Sequence, residues 1–221
     1  ANDGQAIDTL QELQAIVSLY RVNDYADNES LNPVPTVVDY QALLVKAGGK
    51  LTDVMTSDGS YLAAYNDAVK SKPNGSAHDT FTEAQIKAMV VSFNTILNEA
   101  DGEKNQDLTT TDPGKSDYEN VGFGNGSIFK TNLAALLNNA GSVSLLTDVI
   151  GAKNKDQVNS IKELNDLGLI VSRIQELVDK NPTSNLVAQK NDTIYDSITN
   201  GRLTVKDFQD LGLDVRSEEH T

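Results

Sequence analysis

Three stretches of this chain carry oxygen ligands at spacings close to those of a calcium-binding loop. Such a loop wants oxygens at its first, third and fifth positions, glycine at the sixth, an apolar residue at the eighth and a carboxylate at the twelfth. Residues 196–207 supply Asp196, Asn200, Gly201, Leu203 and Asp207 in that register, with Ile198 where the third oxygen belongs. Residues 28–39 offer Asn28, Ser30, Asn32 and Asp39, but Pro33 stands in place of the glycine. Residues 101–112 offer Asp101, Glu103, Asn105, Leu108 and Asp112, with Gln106 at the turn. Asp196, Asn200 and Asp207 are therefore the candidate calcium ligands, and calcium is the one cofactor considered. All three stretches lack a ligand or the glycine and close on aspartate, whose short arm hinders bidentate coordination. Those gaps favour another role, in which Asp39, Asp117 and Asp207 stand near helix starts and serve free amides, with Thr204 and Ser116 as caps.

Other chemistry finds less to work with. The chain has no cysteine, so thiolate zinc sites and thiol nucleophiles are excluded. Its two histidines, His78 and His220, fall in a polar loop and in the tail, away from any apolar wall that could frame a triad. With 32 acidic residues, carboxylate pairs arise by chance, and a solvated acidic face is the simpler account than a glycosidase dyad. Gly122-Phe123-Gly124-Asn125-Gly126 lacks dinucleotide-fingerprint spacing and reads as a flexible loop. A formal net charge of −14, with no basic patch, argues against nucleic-acid binding. No apolar run approaches the ~20 residues of a membrane span. The polar start Ala1-Asn2-Asp3-Gly4 fits a mature or excised chain.

Helices must position whatever these residues do. From Thr9, the residues Leu10, Leu13, Ile16, Val17 and Tyr20 recur at three- and four-residue steps. Thr82-Glu83-Ala84-Gln85 has the form of a capping box and opens a helix striped by Ile86, Met89, Val90, Phe93, Ile96 and Leu97, with Gly102 as its left-handed stop. A third long helix is expected over 156–180, where Gly168 would mark a close crossing or a break. Shorter helices are expected over 40–47, 61–69, 128–139 and 145–150. Packing of Val90, Phe93 and Leu97 against Leu13, Val17, Ile170 and Ile174 would form the core. Tyr20, Tyr40, Tyr61 and Tyr65 would sit at its edges with wet hydroxyls. No stretch alternates as a strand does, so the fold class is all-α, a bundle or a short array of related helical units.

Laid on itself, the chain shows a recurring order. Ile16-Val17-Ser18, Val90-Val91-Ser92 and Ile170-Val171-Ser172 sit mid-helix, 74 and 80 residues apart. An acidic loop and an Asp-aromatic element follow each: Val38-Asp39-Tyr40, Ser116-Asp117-Tyr118 and Lys206-Asp207-Phe208. The implied division is 1–102, 103–182 and a partial third unit at 183–221.

The run Thr9-Leu10-Gln11-Glu12-Leu13-Gln14-Ala15-Ile16-Val17, taken with Asn200-Gly201-Arg202-Leu203-Thr204-Val205-Lys206-Asp207-Phe208-Gln209-Asp210-Leu211-Gly212, resembles helical tandem modules of very large secreted bacterial adhesin-like proteins. The likeness covers residues 9–27, 34–55, 80–102 and 200–214, while 119–145 fit poorly and the copy at Asp117 lacks the Thr-Val. It implies a non-catalytic structural or adhesive segment, secreted or on a bacterial cell surface, that spaces or presents other parts. Its partners would be neighbouring modules of the same or a larger chain, with protein or glycan ligands a further prospect. A calcium-responsive module and an acidic hydrolase or lyase using a carboxylate pair are the alternative readings.

Overall fold

A computed structural model describes residues 9–27, 33–56, 58–71, 81–102, 111–125, 127, 130–180 and 205–211. They are helical, without strands: α1 (Leu10–Asp27), α2 (Val37–Lys46), α3 (Gly59–Ser71), α4 (Glu83–Glu99), α5 (Lys115–Val121), α6 (Lys130–Leu137), α7 (Ala140–Gly151), α8 (Ile161–Lys180) and α9 (Val205–Asp210). Single 3-10 turns at Leu51–Asp53 and Lys155–Gln157 lead into α3 and α8. The all-α reading holds. No single helix among the described residues is long and apolar enough to cross a membrane.

Local chemistry sets the helix ends. The Thr82 hydroxyl accepts from the Gln85 amide at 3.3 Å, and the Gln85 side chain accepts from the Thr82 amide at 2.9 Å, which is the expected capping box. At the far end Gly102 takes φ +84, where a Cβ would be strained. The helix expected from 156 starts instead at Ile161, because 155–157 are spent on the tighter turn. Ser116 is not a cap: Gly114 holds that place, two residues earlier.

α1 packs on α2, and α4 packs on α5 in the same order along the chain. α4 also lies against α2 and α3, while α8 lies against α6 and α7. One apolar core runs through these contacts and includes Val90, Phe93, Leu97 and Ile170, with Ile174 packed against it. Leu13 and Val17 do not join it. They are 46% and 45% exposed, because α1 turns Ala15, Ser18 and Val22 inward instead. Gly168 marks a close crossing rather than a break: a Cβ there would meet the Phe123 ring and lie 2.9 Å from Leu133.

Candidate functional site

The polar groups that sequence spacing marks for chemistry gather at two stations, each at the start of the second helix of its set. At the first, the carboxylate of Asp39 accepts from the Thr36 amide at 2.9 Å, the Thr36 hydroxyl at 2.8 Å, the Ser18 hydroxyl at 2.9 Å and Arg21 at 2.9 Å. Its side chain is 1% exposed. Burial on its own pushes this carboxyl upward; the Thr36 amide and hydroxyl, Ser18 and Arg21 outweigh it and hold the group below the usual carboxylate range. An aspartate four-fold occupied by donors from its own chain is a helix clamp. Its place at the end of the 28–39 stretch does not make it an open metal ligand.

Beside it, the buried Tyr40 hydroxyl donates to Asn66 Oδ1 at 2.8 Å, and Asn66 Nδ2 donates to the Pro35 carbonyl at 3.2 Å. The chain thereby closes a loop from the helix start through its own tyrosine to α3. Burial pushes the Tyr40 hydroxyl well above its ordinary value, with Tyr25, Asp39 and Tyr65 adding to the effect.

The second station repeats this plan with other side chains. Asp117 accepts from the Gly114 amide at 2.9 Å. The Tyr118 hydroxyl is 3.0 Å from the Thr147 hydroxyl, which donates to the Pro113 carbonyl at 3.1 Å. Asn120 donates to the Ser92 hydroxyl at 3.1 Å, where the first station has Ser18 on Asp39. Thr147 on α7 thus does what Asn66 does on α3. Ser18 and Ser92 are both buried and both tie a long first helix to the short helix after it. Ser172 is half-buried and lines a groove with Asn132, Asn139, Ser142 and Gln175.

Of the sequence-marked positions, Asp39 and Asp117 sit at helix starts and serve amides, and Asp207 is buried in the first turn of α9. Asp196, Asn200 and Thr204 lie outside the described residues, as does most of the 101–112 stretch. Among the described residues, no three His, Asp or Glu side chains converge as a metal group. The tyrosines depart from expectation. Tyr40, Tyr61 and Tyr65 are buried, and their hydroxyls are bonded to the side chains of Asn66, Asn98 and Asn94. Tyr20 is 72% exposed.

Sequence reasoning passed over Asn66, Thr147, Asn94 and Arg21. A usable signal was present: proline stands four residues ahead of Asp-Tyr at Pro35 and at Pro113. A carbonyl before such a helix start needs a donor once it is buried. No family model, curated protein or solved structure matches this chain.

Proposed function

We propose that this chain is a non-catalytic structural or adhesive module of a secreted or cell-surface bacterial protein, working as a spacer and interaction scaffold. The observation that carries the reading is the pair of stations. The residues with chemical potential, Asp39, Tyr40 and Tyr118, are spent on holding one helix to the next. Each station also ties its proline carbonyl into a side chain from the following helices. α4 and α8 then lie on helices that precede them in the chain, the arrangement of stacked units that share one core.

Location tests the proposal. Intact cells of the source organism are treated with a non-penetrating protease and probed with an antibody to this chain. Loss of the full-length signal, with a cytoplasmic control protein left intact, is the expected result. A signal that survives until the cells are lysed overturns the reading.

A further inference from the structure

Among the described residues, α1 carries an exposed apolar face. Leu10, Leu13, Ile16, Val17 and Tyr20 form a stripe along α1, from 45% exposed at Val17 to 85% at Leu10. Contiguous apolar surface on this scale marks a contact. The chain itself indicates what covers it. With Ser18 laid on Ser172, the stripe falls on Leu164, Leu167, Ile170, Val171 and Ile174 of α8, apolar at every position. There the first four are 7% exposed or less, and Ile174 is packed on the core. α8 packs against α6 and α7, a pair in which leucine is the commonest residue and whose charges are Lys130 and Asp148 alone.

The same register on α4 places Val90 at Ile16 and Asn94 at Tyr20. Val90 is fully buried, and Asn94 donates to the Asp53 carbonyl at 2.6 Å and accepts from Tyr65. Both partners precede α4. On α4 the face is seated only in part, since Val91, at the place of Val17, is 42% exposed and Ala84, at the place of Leu10, is exposed as well. α8 is the helix that seats the whole stripe. On α1, the charges beside the stripe are already engaged within the unit, Glu12 with Lys46 at 3.3 Å and Arg21 with Asp39 at 2.9 Å. Covering the stripe leaves neither of these pairs to be made anew.

We infer that the α1 stripe seats a nearly uncharged, leucine-rich helical hairpin of a neighbouring unit, as α8 seats α6 and α7. The inference rests on the stacked-unit reading above and names its partner. It also accounts for a tyrosine left 72% exposed on an otherwise apolar stripe, since Tyr20 stands where Ile174 meets the core.

The chain has no cysteine, so one introduced thiol reports on this face alone. Ile16→Cys is made in the 221-residue chain and in a longer chain with a copy of residues 82–160 joined ahead of Ile7, the counterpart of Ile161. In that copy Phe123→Ala clears the room that Gly168 gives its neighbour and Gln14, its counterpart on α1, does not. Maleimide labelling should be fast in the shorter chain and roughly tenfold or more slower in the longer one, as local opening then has to precede reaction. Lys162→Cys, at an 83% exposed side chain on α8 outside the copied segment, should label fast in both.

Equal labelling at position 16 in the two chains overturns the inference, whether or not far-UV circular dichroism shows the added copy to be helical. A thiol that becomes protected in the shorter chain as its concentration rises would give the face to a second copy, and also overturns it. Failure of this test leaves the surface location, scored by protease, untouched. Protection at position 16 in a chain that proves to be cytoplasmic would strike the functional reading and keep the seat.

Discussion

The hydroxyl of Ser18 donates to the carboxylate of Asp39 at 2.9 Å, joining the middle of α1 to the first turn of α2. Both groups are buried, and Arg21 reaches the same carboxylate from one turn further along α1. Three functions meet on that one carboxylate: capping α2, anchoring α1, and neutralising a guanidinium. Removing it strands several donors at once, and unsatisfied buried donors cost more than a lost bond is worth.

Asp39→Ala should therefore destabilise the fold by about 2–4 kcal/mol, the sum of a lost cap and stranded partners. Urea unfolding followed by far-UV circular dichroism measures it. Ser18→Ala, which removes one donor and leaves Thr36 and Arg21 in place, should cost about 1 kcal/mol. The acid limb carries the sign. Asp39 is held below its unfolded value of roughly 3.9, so its stabilisation is full above that pH and is lost as pH falls through the depressed folded value. Asp39→Asn should flatten the acid limb of the stability–pH curve relative to the parent.

Tyrosine hydroxyls give the opposite limb. Tyr40 and Tyr118 are buried and pushed up, Tyr40 chiefly by burial and Tyr118 by burial against the opposing bond from Thr147. A raised group stabilises fully below its unfolded value, near 10 for tyrosine, and loses that contribution as pH rises towards the folded one. Stability should fall above about pH 10, and less steeply in a Tyr40→Phe, Tyr118→Phe double variant. At neutral pH, Tyr40→Phe should cost about 1–2 kcal/mol, because Asn66 Oδ1 loses its donor. Tyr118→Phe should cost a similar amount, since Thr147 keeps the Pro113 carbonyl just as Asn66 keeps that of Pro35. Chemical denaturation of the single and double variants, compared as a cycle, checks both values.

These stations show how much the sequence disclosed. Helical periodicity and the Thr82–Gln85 box place the long helices, because caps and apolar spacing are local signals. Asp39 and Asp117 at helix starts were legible for the same reason. The partners were not. Asn66 and Thr147 contact residues 31 and 34 positions away from them in sequence, and nothing in a helix pattern tells a buried Asn from an exposed one. The inward face of α1 was misread on similar grounds. Its most apolar stripe points outward, while the face that packs carries Ala15, Ser18 and Val22, so hydrophobicity alone chose the wrong side. Tertiary contact, not propensity, decided that orientation.

Phe93 sits fully buried in the middle of α4, within the common core. Phe93→Ala should cost ~3–5 kcal/mol, the usual range for deleting a buried ring from a site that cannot collapse around the gap. Thermal melting and urea unfolding should agree on the loss. A variant that melts with the parent would mean that α4 is held by its other contacts.

Gly168 poses a contest between two effects of opposite sign. In an exposed helix interior, glycine to alanine gains roughly 1 kcal/mol, from propensity and from a less flexible unfolded chain. At Gly168 the added methyl enters the space of the Phe123 ring and comes within 2.9 Å of Leu133 Cδ2. Neither neighbour is free to retreat: Phe123 packs on Tyr118 with centroids 5.6 Å apart, and Leu133 is fully buried. Overpacking of this kind costs about 1–3 kcal/mol, so the clash should exceed the propensity gain and Gly168→Ala should lower stability. Gly59→Ala is the matched control. It lies in the first turn of α3, where an added methyl would meet nothing within 4 Å, and should be neutral or stabilising. Differential scanning calorimetry on the pair reads the contest directly. If Gly168→Ala melted as high as Gly59→Ala, α8 would have room to shift away from Phe123, and the crossing between them would be looser than its geometry implies.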